Sequence, residues 1–445
     1  MQLPEEFQKR MKDMLGDAAD AFFAALDKEE QYTGLRIQKS CPKLLELCRG
    51  FEKAPWCENG YYADKSKISG NHPYHLAGLI YFQEPSAMAP VSALPIREGD
   101  FVLDLCAAPG GKATAAGAEL SESGLLVANE IVPKRAKILS ENIERCGLSN
   151  AIVTNETPEN LAARFPAFFD KVIVDAPCSG EGMFRKEPQA VTEWSIAHTK
   201  ACANRQKLIL KDAVKMLRED GYLIYSTCTF APCENEGVCD WLLSEYPELS
   251  LVPITLPGLS DSLGTWTHDL SGAKRIFPHL AKGEGHFLSL FHKSGEKKAR
   301  NFQTETTSCK EAEGLFRAFE SETFLHQREG TFALFGENLY LIPQGLSLKG
   351  LRVVRAGLHL GVLRKSRFEP SHALCLATPG DWFVKTVSLP AESEELKSFL
   401  RGETIPSGQK GWTAVLADGF PVGWGKASDG ILKNHIPKGL RVIGR

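Results

Sequence analysis

FVLDLCAAPGGKATAAGAEL, residues 101–120, reads as three pieces in series. FVLDLC (101–106) is an apolar run of strand length. CAAPGGK (106–112) is a turn of small residues and glycines, which lets a backbone approach a ligand closely. GKATAAGAEL (111–120) is a small-residue helix whose first N–H groups face that turn. The turn is not a phosphate-binding P-loop. That loop needs Gly at 106 and Ser or Thr at 113, where Cys106 and Ala113 stand. Nor is it G-x-G-x-x-G, and alone it is a weak signal.

The same unit repeats outward. GLLVANE (124–130), AIVTN (151–155), KVIVD (171–175) and YLIYS (222–226) are further short apolar strands. PKRAKILSENIERCG (133–147) is a helix with Pro at its start and Gly at its end. A long helical stretch, about 199–219, precedes the last strand. Strands alternating with helices predict an α/β fold, a Rossmann-like parallel sheet covered on both faces. Ligands bind such sheets beyond the carboxyl ends of the strands. Cys106, Glu130, Asn155, Asp175, Cys178 and Cys228 all fall at or just past such ends, which locates one cleft.

Glu130 ends the second strand, where an acid can accept hydrogen bonds from both hydroxyls of a ribose. With the glycine turn it predicts an adenosine-containing cofactor. Spacing alone does not separate a dinucleotide from S-adenosylmethionine. A surface carboxylate capping the next turn is the plain alternative for Glu130. Asp175-Ala176-Pro177-Cys178 ends the fourth strand, where the acid can hold a flat nitrogenous group against the cofactor. Cys228 lies just past the end of the next. Two cysteines converging on one adenosyl cleft suggest thiolate chemistry; two buried structural thiols are the alternative.

The 445 residues suffice for two to four domains, and 43% hydrophobic with 24% charged content is that of an ordinary globular protein. No run of about 18 apolar residues predicts a membrane span. The N-terminal segment lacks the apolar core of a secretory signal, so the chain is expected in the cytoplasm with reduced thiols. The cysteine and histidine spacings hold no metal pattern. Cys41, Cys48, Cys57, Cys146, Cys202, Cys239, Cys309 and Cys375 read as buried small hydrophobes. Phe7, Met11, Met14 and Leu15 recur at helical spacing and predict a helix packed on a domain. Residues 351–445 hold 14 Lys+Arg against 8 Asp+Glu, a balance of +6 in a chain of net charge −3. A basic tail on an acidic body suits an anionic partner, although a solvated basic face is the commoner explanation.

At these residues the chain resembles the Sun/RsmF-type RNA cytosine-C5 methyltransferases. The likeness rests on QEPSAM (83–88), DLCAAPGGKA (104–113), DAPCSGEGMFRK (175–186) and STCTFAPCENE (226–236), four blocks in order. GFPVGWGK (419–426), LKNHIPKGLR (432–441) and RAGLHLGVLRK (355–365) resemble the RsmF branch and its PUA-like tail. The resemblance implies a class I methyltransferase sheet at 96–293 behind an N-terminal RNA-binding extension (1–95). A linker (294–314), a small intermediate unit (315–382) and a β-rich PUA-like RNA-binding domain (383–445) would follow.

It also implies S-adenosylmethionine as cofactor, held by Cys106, Ala107, Ala108, Pro109, Gly110, Gly111, Lys112, Glu130, Asn155 and Asp175. Cys228 would be the nucleophile and Cys178 the residue that helps break the adduct. Asp175 would hold the base at N3 and N4. Lys112, Arg185 and Lys186 would supply positive field or bind phosphate, and Lys433 and Arg441 would bind RNA. Trp412 and Trp424 either stack on bases or fill a small β core. One departure is Thr157, which stands where relatives often carry an aspartate contacting the adenine amine; Asn155, Glu156 or Glu159 would have to substitute.

The implied reaction is 5-methylcytosine formation in small-subunit ribosomal RNA by a monomer. Transfer RNA methylation, a DNA cytosine methyltransferase and a non-catalytic assembly factor are the competing readings. The last needs neither a thiol pair nor a cofactor.

Overall fold

The computed structural model describes residues 3–28, 31–120, 123–300, 302–305, 309–365 and 367–442. Its centre is a ten-stranded sheet. Five strands are parallel: β1 (Phe101–Asp104), β2 (Leu125–Asn129), β3 (Ala151–Thr154), β4 (Phe169–Asp175) and β5 (Leu217–Thr227). Every residue of β1, β2 and β3 is buried, as expected of strands covered on both faces. After β1 come α1 (Gly111–Glu119) and, beyond β2, α2 (Pro133–Arg145). Pro133 opens α2, which buries Ala136, Leu139 and Ile143 as one stripe.

The strands lie in the order β5-β4-β1-β2-β3. The chain therefore runs outward from β1 to β3 and returns on the other side of β1 as β4. Connections leave β1 and β4 in opposite directions, and a crevice opens at that switch point. Asp104 ends β1 and Asp175 ends β4, so the topology brings two carboxyls to one crevice.

The edges of the parallel block are covered. β6 (His286–Lys293) pairs antiparallel with β5. At the far side Val353–Ala356 pairs antiparallel with β3. The intermediate unit thus lends a strand to the central sheet, and this short strand becomes its edge on that side. The rest of that unit is a four-stranded sheet within 331–370, and the tail is a five-stranded sheet within 386–434.

Several expectations change. Within the N-terminal extension, Ile80–Gln83 is a strand that pairs with Gly34–Ile37 in a three-stranded sheet. The expected linker 294–314 is docked. Arg300 pairs with Asp170 and donates to Phe168 O at 3.0 Å, and helix begins at Lys310. Arg300 anchors the linker, while residues 294–299 are exposed, as their polar composition suggests. Residues 301 and 306–308 of that stretch lie outside the described residues. Cys309 is half-buried, whereas the seven other cysteines read as structural are buried.

The N-terminal helix Glu5–Leu15 buries Phe7 and Met11 and sets Phe7 against Phe184, with ring centroids 5.2 Å apart. Leu35 and Leu44 of the N-terminal extension share a core with Phe399 and Val415 of the tail. No helix among the described residues is long and apolar enough to cross a membrane.

Candidate active site

Gly110 begins the crevice. Its φ of +119° is a left-handed conformation that L side chains rarely adopt, and a Cβ there would also stand 3.2 Å from Leu139. The first N–H groups of α1 have no intrahelical acceptor and face a cavity of about 320 Å³. Asp104, the Cys106–Pro109 turn, Lys112 and Asp175 line it, and Gln83 and Glu84 of the N-terminal extension close one side. The QEPSAM block is therefore a wall of the cleft.

The two carboxyls there are in opposite states. Asp104 is fully buried, and neither of its oxygens has a hydrogen-bond partner. Burial first, and then the charge of Asp175, push its pKa up to about 8. Asp175 accepts from Lys112 Nζ at 2.7 Å and from Ser226 Oγ at 2.7 Å, and His286 Nε2 lies 3.4 Å away. Burial opposes its charge, but Lys112 and His286 outweigh burial and hold it well below the usual carboxylate range. At neutral pH the cleft pairs a neutral carboxylic acid with a carboxylate.

Asp104 makes stability fall with pH. Its pKa is raised on folding, so its contribution is fully present below the unfolded value near 4 and is lost as pH rises toward 8. Asp104→Asn should remove that slope. Without cofactor, its melting temperature should exceed wild type's at pH 8 and converge with it at about pH 4. The gain is roughly 1.4 kcal/mol per pH unit crossed.

Glu130 is buried rather than a surface group. It accepts from Val132 N at 2.9 Å and pairs with Arg135 at 3.3 Å, capping the turn into α2. Asn155 braces the same turn by donating to Glu130 O and Ile131 O. Thr157 caps the next helix, and Glu156 is held by Arg352 and Asn160. Both are thus committed to the protein, and Glu159 is exposed.

The two strand-end cysteines meet. Cys178 Sγ lies 3.2 Å from Cys228 Sγ, and both side chains are half-buried. Their loops are pressed together at Gly182, whose N–H donates to Cys228 O at 2.8 Å. A Cβ at Gly182 would stand 2.9 Å from that same oxygen, so only glycine allows the approach. The hydrogen bond to Cys228 and then burial push the Cys178 thiol well above its ordinary value. Cys178 is thereby held as a thiol, and either sulfur of the pair can be the donor.

Two buried acids tie these loops and escaped the sequence reading. Glu181 accepts from Phe230 N at 3.0 Å, Trp194 Nε1 at 2.7 Å and Arg10 Nη2 at 2.7 Å. Glu234 is fully buried beside Ser179. Both stand inside the quoted blocks, so the available signal was an acid within a buried turn.

The expected RNA-binding residues divide. Lys112 is buried against Asp175, and the Arg185 side chain is 6% exposed and paired with Glu284 at 2.6 Å. Neither is placed for phosphate, because each cation is engaged by a carboxylate. Lys186 is half-buried and 3.5 Å from Glu284. Arg441 is half-buried and donates to Ile436 O. Lys433 is exposed, directly across the ladder from exposed Lys426, which faces Trp412 on the next strand. Trp424 is 1% exposed and fills the core. His359 stacks on Tyr340, its partner on the adjacent strand of the four-stranded sheet.

Residues 91–292 match the family described as 16S rRNA methyltransferase RsmB/F. Three further matches are the N-terminal domain of 16S rRNA methyltransferase RsmF (3–85), the RsmF rRNA methyltransferase first C-terminal domain (318–377) and the methyltransferase RsmF PUA domain (386–442). The chain is 32% identical over 472 residues to a ribosomal RNA small subunit methyltransferase F of Vibrio cholerae, covering 98% of this chain and 97% of the relative. It is 33% identical over 465 residues to that of Vibrio vulnificus, with the same coverage. Among solved structures, a methyltransferase homolog from Pyrococcus horikoshii is 27% identical, with a TM-score of 0.58 over 65% of this chain and 95% of that one.

Proposed function

The chain belongs to the RsmB/F family of 16S rRNA methyltransferases, and from that premise we propose how its cleft makes 5-methylcytosine in small-subunit ribosomal RNA. The observation that carries the reading is the 3.2 Å thiol pair beside an ionised Asp175. S-adenosylmethionine, the family's cofactor, supplies an electrophilic sulfonium methyl when bound. Asp104 and the free N–H groups of α1 suit its amino-acid end: an orphaned carboxyl answers an ammonium, and N–H groups answer a carboxylate. Glu130 and the Cys106–Lys112 turn would hold the rest.

The chain's own residues treat the base. C5 of cytosine is a poor nucleophile. The Cys228 thiolate adds to C6, and the electron pair of the C5–C6 double bond becomes available at C5. Asp175 accepts from the N4 amino group and stabilises a proton at N3, which draws electrons from C6. Its oxygens already carry Lys112 and Ser226, so the carboxylate is oriented before the base arrives. After methylation a base, water in the open cleft, takes the C5 proton; the C–H electron pair re-forms the C5–C6 double bond, and the S–C6 bond breaks with its pair returning to Cys228. The Cys178 S–H stabilises the departing Cys228 thiolate by hydrogen bonding across 3.2 Å.

The target base must be unpaired or flipped to reach half-buried thiols. A candidate RNA face is the row Trp412, Lys426 and Lys433 on the five-stranded sheet, with exposed Lys410 beside it. None of these lysines forms an ion pair among the described residues, which leaves their charge for phosphate. The test is methyl transfer to naked small-subunit ribosomal RNA, assembled subunits, transfer RNA and DNA, read as 5-methylcytosine in nuclease digests. Product from ribosomal RNA or subunits alone supports the reading. Product from DNA or transfer RNA alone contradicts it.

A further inference from the structure

Glu234 lies in the turn before the helix Glu236–Glu245 and is fully buried. It has no cation partner among the described residues. Its oxygens instead collect neutral donors: Ser179 N at 3.0 Å, Ser179 Oγ at 2.5 Å and Gln206 Nε2 at 2.9 Å. Gln206 Nε2 also lies 3.1 Å from Pro177 O. The residues on both flanks of Cys178 are therefore fixed through this one carboxylate. On the Cys228 side, among the described residues, the carboxylate meets Thr229 Oγ1 at the longer distance of 3.4 Å, and Ser179 Oγ reaches that hydroxyl at 2.9 Å. The asymmetry separates it from Glu181, which grips Phe230 N beyond Cys228.

Resting on the proposed cysteine chemistry, we infer that Glu234 is a positioning residue for Cys178, which it aims at the Cys228 sulfur for breakdown of the adduct. A carboxylate surrounded by donors must be ionised to accept from all of them. Burial raises its pKa to about 7, so it is protonated on mild acidification. The titratable groups facing it are Glu181 and Cys178 from the loop after β4, Cys202 from the helix Ile196–Met216, Tyr225 from β5 and Cys233 from its own turn. A proton on Glu234 removes an acceptor from Ser179 and frees the Cys178 loop.

The test is single-turnover reaction of the full chain with S-adenosylmethionine and small-subunit ribosomal RNA. Covalent protein–RNA adduct is read on denaturing gels between about pH 6 and pH 8. Glu234→Ala should form adduct at the wild-type rate and resolve it on the order of 100-fold more slowly, the cost of misplacing a reacting group by about 1 Å. Resolution in wild type should fall as pH drops through about 7. Glu234→Gln, a neutral isostere with unchanged packing, should resolve adduct at a rate independent of pH over that range. Wild-type resolution by Glu234→Ala, or equal slowing of formation and resolution, overturns the inference. So does a pH profile of Glu234→Gln that matches wild type. Adduct in Cys178→Ala but not in Glu234→Ala refutes the positioning role alone; no adduct in either removes the cysteine chemistry and the inference with it.

Discussion

Cys228→Ala protein transfers no measurable methyl group to RNA, yet binds S-adenosylmethionine as wild type does. The expected loss is on the order of 10⁵-fold, the scale seen when a nucleophile is deleted. The reason is electronic. Without a thiolate at C6, C5 of cytosine has no electron pair to offer, and no neighbouring group replaces it. Cys178 does not substitute, because burial still opposes its ionisation once Cys228 is gone. Cofactor binding is spared because the cavity is lined by the Cys106–Lys112 turn and Asp175, not by Cys228. Filter-bound methyl incorporation and calorimetry check the two halves. Residual transfer within about 10-fold of wild type would give the nucleophile's role to another group.

Lys112→Met is the second large effect, on stability as well as rate. The Lys112 side chain is 8% exposed and its ammonium is 2.7 Å from Asp175. Asp104, a second buried acid, stands beside them. Methionine keeps the volume and deletes the charge. Breaking a buried pair from one side costs about 3–5 kcal/mol, and Asp175 is open enough to solvent that the lower end applies. The sign with pH is specific. Asp175 is held below the usual range in wild type, so its stabilisation is present above its unfolded value near 4 and is lost as pH falls through it. Without Lys112 burial dominates, the pKa of Asp175 rises, and that stabilisation disappears at neutral pH. Chemical denaturation at pH 7 should show the loss. The acid limb of any residual activity should move upward, because a protonated Asp175 cannot stabilise a protonated base.

Much of this was legible in local runs of residues. The strand–turn–helix at 101–120 is legible as a ligand-approaching turn because backbone conformation is a local demand, and only with Glu130 does it point to an adenosyl cofactor. Cys178 and Cys228 were legible as strand-end residues, and sheet topology alone then brings them together. What escaped depends on distant partners. Lys112 and Arg185 were expected to supply positive field or bind phosphate, but Asp175 and Glu284 engage them from 63 and 99 residues away. Arg10 reaches Glu181 across 171 positions. Val353–Ala356 is too short to read as a strand, and its pairing with β3 is decided by the open edge it finds. The neutral state of Asp104 follows from burial beside another acid, which no spacing encodes.

The central claim is the division of labour between the two thiols. Its most direct measurement is the Cys178→Ala protein incubated with S-adenosylmethionine and small-subunit ribosomal RNA, then run on a denaturing gel beside wild type and Cys228→Ala. The account predicts a slow-migrating covalent protein–RNA band in Cys178→Ala that is absent from Cys228→Ala. A band in Cys228→Ala and none in Cys178→Ala would reverse the roles and contradict it.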